Sequence, residues 1–255
     1  MLLTPSRLPG ADFVINPYIG CGFGCKYCYA KFMAKYVAGR SGRCGLSADK
    51  KELQQQWGKW VVPKIKDVDN FESEIKRMSA KLTGKTTLLS SVTDPYQPAE
   101  VKYKLTRKVL EIWANYAPTD AKLEILTRSA LILRDIDILR QIPNLLIGMS
   151  LSILPQDKFR QIEPYSPVLT ARINTLIKLK QARLKVYAFV APVWPGQVAQ
   201  LQQVVQELKK HKIPVRFIEL LNKIARRQFG GEFEQEEILK LRAISKAARA
   251  LLIEH

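Results

Sequence analysis

The chain has 255 residues, 47% of them apolar, which excludes a disordered chain and suits one barrel-sized domain with a full core. Lys and Arg total 41 against 23 Asp and Glu, a formal net charge of +18 that favours an anionic partner, most commonly nucleic acid. No apolar run approaches the roughly 18 residues of a membrane span, and the opening MLLTPSRLPGADF lacks a secretory apolar core, so a cytoplasmic protein with reduced thiols and no membrane partner is expected.

In chain order, a first strand is expected over 12–16, directly before the segment NPYIGCGFGCKYCYA (16–30). Three of the four cysteines, Cys21, Cys25 and Cys28, fall there within eight residues, a clustering that suits metal better than a disulfide framework. Gly20, Gly22 and Gly24 permit the tight, partly left-handed backbone of a loop wrapped round a metal group. Three thiolates satisfy three irons of a four-iron cluster and leave the fourth iron open for a ligand. The same residues also allow a tetrahedral zinc site with Cys44 as fourth ligand. His211 and His255 are the only histidines, so histidine-based chemistry is poorly supplied.

From residue 26 to 66 there are ten basic residues (Lys26, Lys31, Lys35, Arg40, Arg43, Lys50, Lys51, Lys59, Lys64, Lys66) and two acids, Asp49 and Glu52. Gly39, Gly42 and Gly45 mark a loop, and 57–62 reads as an extra strand, so about 39–66 is expected to be a basic insertion in a single domain covering 1–255. Thr83-Gly84-Lys85-Thr86 looks like the end of a phosphate-binding loop, but it precedes a strand instead of following one.

Beyond residue 84 short β-rich runs alternate with helical patterns. Strands are expected over 86–92, 122–127, 145–151, 185–191 and 214–220. Leu169, Ile173, Leu176 and Ile177 form one helical stripe. Ile238, Leu241, Ala248 and Leu252 form another, on a last helix with Glu234, Glu236 and Glu237 first and Lys240, Arg242, Lys246 and Arg249 later, as the helix dipole favours. About six βα units predict an α/β fold, a partial, open (β/α)6 TIM-type barrel with parallel strands. Functional residues are then expected just after strand ends.

The spacing Cys-x3-Cys-x2-Cys, with Tyr27 before the last cysteine, resembles the signature of the radical SAM superfamily. Over nearly the whole length the chain is similar to the spore photoproduct lyase-like branch, through NPYIGCGFGCKYCYA (16–30), SVTDPYQPAE (91–100), ILTRSALILRDIDIL (125–139), MSLSI (149–153) with IEPYSP (162–167), and FVAPVWPG (189–196). The resemblance implies a [4Fe–4S] cluster on Cys21, Cys25 and Cys28 and S-adenosylmethionine (SAM) as cofactors. It also implies reductive cleavage of SAM to a 5′-deoxyadenosyl radical and hydrogen abstraction from a substrate.

Carried over by position, the resemblance sets Tyr27 against the adenine, Thr93 with Asp94 at the methionyl end of SAM, and Arg128 at its carboxylate. It sets Ser150 at the ribose and Ala191 beside the adenine. The lyase's hydrogen-donating cysteine is replaced here by Ser91, whose O–H is too strong to serve, so Cys44, Tyr29 and Tyr96 are the candidate hydrogen relays. Charge and resemblance together suggest DNA or RNA as substrate. A flavodoxin- or ferredoxin-type protein is the expected electron donor. Two alternatives stand beside this reading: a radical SAM enzyme that modifies peptide or protein, and a non-catalytic nucleic-acid-binding protein with a structural metal.

Overall fold

The computed structural model describes residues 1–38, 46, 49–217 and, near the carboxyl end, 236, 237, 239–241, 243 and 244. β1 (Leu3–Pro5) lies antiparallel on β2 (Phe13–Ile15), and the Glu74 carboxylate accepts the Leu2 and Leu3 N–H groups at 2.8 and 3.2 Å. β3 (Tyr18–Gly20) enters the cysteine loop, which is followed by a 3-10 turn (Tyr29–Met33) and α1 (Ala34–Val37). After α2 (Lys50–Gln55), β4 (Val61–Pro63) returns antiparallel to β3. α3 (Ile65–Asp69) and α4 (Phe71–Leu82) lead to β5 (Thr86–Leu89).

The βα alternation then runs through α5 (Ala99–Tyr103), α6 (Leu105–Tyr116), β6 (Lys122–Thr127), α7 (Ile136–Leu139) and β7 (Leu145–Ile153). It continues with α8 (Phe159–Ile162), α9 (Leu169–Gln181), β8 (Val186–Val193), α10 (Val198–Lys210) and β9 (Val215–Phe217).

One sheet orders the strands β1-β2-β5-β6-β7-β8-β9, and every neighbour pair from β2 onward is parallel. Among the described residues it does not close: β1 and β9 are its edges. The expected open α/β architecture is therefore what the chain builds. The core lies between sheet and helices, with Ile125, Ile147, Met149 and Val190 packed in one cluster with Ile75, Leu110, Leu176 and Leu201. Burying such apolar surface is the main drive for the fold.

Several boundaries differ from expectation for local reasons. The strand expected over 86–92 stops at Leu89, because Ser90 turns left-handed (φ 71°) and sends its N–H back to the Ile15 carbonyl at 2.7 Å. The strand expected over 57–62 is displaced to Val61–Pro63, because Trp57 and Lys59 donate their N–H groups to Gln54 and Gln56 in tight turns. The buried face of α9 centres on Arg172, Thr175, Leu176 and Leu179, while Leu169, Ile173 and Ile177 pack at its flanks.

The last helix is seen only in part. Leu241 is buried and Ile244 packs on the core; 218–220 of the last strand and the stripe residues Ile238, Ala248 and Leu252 lie outside the described residues, as does Cys44. Among the described residues no helix is long and apolar enough to cross a membrane.

Candidate active site at the strand ends

Asn16 follows β2 and fixes the first turn. Its side-chain carbonyl accepts the Ser91 and Val92 N–H groups at 3.0 and 3.2 Å, and its amide reaches the Ser91 hydroxyl at 3.3 Å. β3 then carries the chain to the cysteines. Cys21, Cys25 and Cys28 are free thiols, the first two buried. Gly20 and Gly24 take positive φ (85° and 65°), as the spacing led one to expect, but Gly22 does not; a Cβ there would press on Pro98 at 3.3 Å.

The loop rests on a small apolar core of its own, in which Phe23, Ala30, Ala34 and Val37 meet Leu53, Trp57 and Trp60 from the segment that leads to β4. Trp57 and Trp60 pack edge to face at 5.5 Å, and the Trp60 indole donates to the Leu53 carbonyl at 2.8 Å.

The loop after β5 pins the cysteine loop from the other side. Thr93 donates its hydroxyl to the Gly20 carbonyl at 2.6 Å and accepts from the Gln97 side-chain amide at 2.8 Å, while Gly22 N–H donates to the Gln97 Oε1 at 2.7 Å. Asp94 braces the end of β6: it accepts the Thr127 hydroxyl at 2.6 Å and the Tyr96 and Arg128 N–H groups, each at 2.9 Å. Burial pushes the Asp94 carboxyl up, against these hydrogen bonds and the nearby Arg128.

Arg128 is the link between rim and loop. One of its Nη atoms lies 2.9 Å from the Cys25 Sγ, the Tyr27 hydroxyl and a Glu163 oxygen alike. Glu163 in turn accepts from Tyr27 and from the fully buried Arg172, which also donates to the Ser150 carbonyl and the Ser152 hydroxyl at 3.2 and 3.1 Å. Burial pushes the Glu163 carboxyl up, but Arg128, Arg172 and the Tyr27 hydroxyl outweigh it and hold it at about 2.

Ser150 is buried on β7, and Ala191 sits half-buried at the end of β8. Arg128 thus joins Asp94, Tyr27 and Cys25 in one hydrogen-bonded network, to which Ser150 connects through Arg172 and Glu163, while Thr93 is tied to the cysteine loop at Gly20. The three hydrogen-relay candidates do not share a place. Tyr29 is exposed and donates its hydroxyl to the Ser91 carbonyl. Tyr96 is enclosed in the main core. Cys44 lies outside the described residues.

Glu163, Arg172, Gln97 and Asn16 are site residues that motif reading did not single out. Arg172 does carry a signal, a cation on the helix face that it shares with Leu169, Leu176 and Leu179.

The donor set suits an iron–sulfur cluster. The thiols lie on one short loop with no disulfide among them, and burial pushes Cys21 and Cys28 up, so metal binding must displace their protons. A cubane takes each thiolate on a different iron.

A family model described as the Radical SAM superfamily matches residues 15–208. An uncharacterized protein of Methanocaldococcus jannaschii is 36% identical over 233 residues, covering 91% of this chain and 79% of the relative. An uncharacterized protein of Acidianus two-tailed virus is 29% identical over 240 residues, covering 87% and 74%. Among solved structures, a spore photoproduct lyase complexed with dinucleoside spore photoproduct has a TM-score of 0.62 at 14% identity, over 96% of this chain and 75% of that one. Streptococcus suis SuiB bound to precursor peptide SuiA has a TM-score of 0.56 at 13% identity, over 94% and 46%.

Proposed function

Because the chain belongs to the radical SAM superfamily, we propose that it is an enzyme in which Cys21, Cys25 and Cys28 hold a [4Fe–4S] cluster and leave one iron for SAM. When bound, that cluster supplies the electron that splits the SAM S–C5′ bond into methionine and a 5′-deoxyadenosyl radical. The chain's own part is to bind, orient and exclude. Arg128 offers a guanidinium fork for the SAM carboxylate, and Glu163 with Arg172 holds that fork at the loop. By the family resemblance, Thr93 and Asp94 are assigned to the methionyl part of SAM, Ser150 to the ribose, and Tyr27 and Ala191 to the adenine. The carrying observation is the meeting of Arg128 with Cys25 and Tyr27, which sets a carboxylate-binding group against the loop.

Nucleic acid is the proposed substrate. The net charge of +18 supports it, as does the likeness in fold to a lyase solved with a dinucleoside photoproduct. Ser91 in place of a donor cysteine argues for a reaction other than that lyase's repair, with Tyr29, Tyr96 or Cys44 as candidate relays. Peptide modification is the second reading, favoured by the fold shared with SuiB, which was solved with a peptide. A flavodoxin- or ferredoxin-type protein is the proposed reductant.

The test is anaerobic incubation of iron- and sulfide-reconstituted protein with SAM and dithionite. 5′-Deoxyadenosine should form with wild type and vanish in Cys25→Ala. Its absence from wild-type protein that has taken up iron would sink the proposal. Deuterium carried into it from labelled oligonucleotide or labelled peptide separates the two substrate readings.

A further inference from the structure

The segment after Cys28 inverts the usual economy of a surface helix. It buries its small residues Ala30 and Ala34 with Val37 and turns three large rings outward. Tyr29, Phe32 and Tyr36 are 64%, 38% and 48% exposed, and their positions, three and then four residues apart, put them on one face. Tyr29 and Phe32 lie 6.4 Å apart with rings inclined by 28°, and Phe32 and Tyr36 lie 6.4 Å apart edge to face. The Tyr29 hydroxyl is tied to the Ser91 carbonyl, so that ring is held in place without being covered.

Cations surround the rings. Lys35 Nζ sits 5.5 Å from the Phe32 centroid and 4.8 Å from that of Tyr36, and Lys31 reaches back to the Lys26 carbonyl at 2.8 Å. No acid occurs between residues 26 and 38. Contiguous exposed aromatics mark an interaction surface, and rings set among lysines match bases on a phosphate backbone. A duplex keeps its base faces stacked on one another, so only an unpaired strand can use the ring faces.

We propose that Tyr29, Phe32 and Tyr36, with Lys26, Lys31 and Lys35, form a stacking platform for single-stranded nucleic acid that starts at the mouth of the cysteine loop. This rests on the nucleic-acid reading above and deepens it: the partner is a single strand, and bases are read by their faces. Lysines supply affinity that falls with salt, whereas the rings supply affinity that salt barely touches.

The experiment measures fluorescence anisotropy of a labelled oligothymidine, alone and as duplex with oligoadenosine, against the full-length protein over a salt series. Wild type is expected to prefer the single strand. Phe32→Ala and Tyr36→Ala should each weaken it about fivefold or more, with an unchanged salt slope. Lys35→Gln should flatten the slope by roughly 0.7. The ring-retaining exchanges Phe32→Tyr and Tyr36→Phe should bind as wild type; with each alanine variant's unfolding transition, they separate lost stacking from lost fold.

Equal binding by wild type and both alanine variants overturns the platform and leaves the nucleic-acid reading standing, as does a duplex bound as tightly as the strand. Alanine variants that keep the strand but accept electrons more slowly from an acidic flavodoxin overturn it in favour of a redox-protein dock. A wild-type protein that binds no strand at any salt overturns both readings.

Discussion

At Glu163 two guanidiniums and a phenol meet around one buried carboxylate. Its pKa stands at about 2 against an ordinary value of 4.5, so the folded state binds its proton less readily than the unfolded chain. The resulting stability, on the order of 3 kcal/mol, is fully present above the unfolded value and drains away as pH falls from about 4.5 toward 2. In metal-free protein, Glu163→Gln should therefore cost most at pH 6, and the gap to wild type in urea unfolding should narrow steadily below pH 5. A gap that stays constant down to pH 3 would remove Glu163 from the role of charged anchor. The cysteines were legible because thiol spacing on a short loop is itself the chemistry. Glu163 was not, and the lone cation Arg172 did not tell what it would meet, since nothing local to either shows that this βα unit will close through Glu163 on Tyr27 of the cysteine loop and Arg128 at the end of β6.

Among elements, the cysteine loop and the segment between α2 and β4 are joined by a contact between two glycines. A Cβ on Gly58 would stand 2.5 Å from the Gly24 Cα, and Gly58 itself takes a φ of +101°. Gly84 provides the comparison: its φ is +67°, yet a Cβ there meets nothing within 4 Å. Gly84→Ala should cost only the left-handed strain, about 1 kcal/mol. Gly58→Ala should cost that plus the displacement of backbone, roughly 2 kcal/mol or more, and should lower iron uptake in reconstitution. Equal losses in the two variants would show that the loop and the segment before β4 do not depend on this approach. The glycines of the loop itself could be read as turn formers. Their partner could not, because Gly24 and Gly58 are brought together only when β4 pairs with β3, and three-residue strands are too short to show a period.

On the scale of the molecule, the chain has two apolar cores of unequal strength. The main one runs through β5 to β8 and their helices, and its long strands and helical stripes are why the open barrel was readable from sequence. The second, around Cys21, Cys25, Phe23, Trp57 and Trp60, is small and joined by the short β3–β4 ladder. Stability follows buried apolar area, so the smaller unit should open locally well below the free energy of global unfolding. A group that ties three thiols of that unit together binds the closed form and adds its binding energy there. Hydrogen exchange should accordingly show fast amides at residues 18–38 and 50–62 in metal-free protein and slow amides in β6, β7 and β8. Reconstitution with iron and sulfide should slow the first set strongly and the second little. Uniform protection before loading, or equal slowing of both sets after it, would mean that the cysteine loop folds with the barrel as one cooperative unit and draws no separate stability from what it binds.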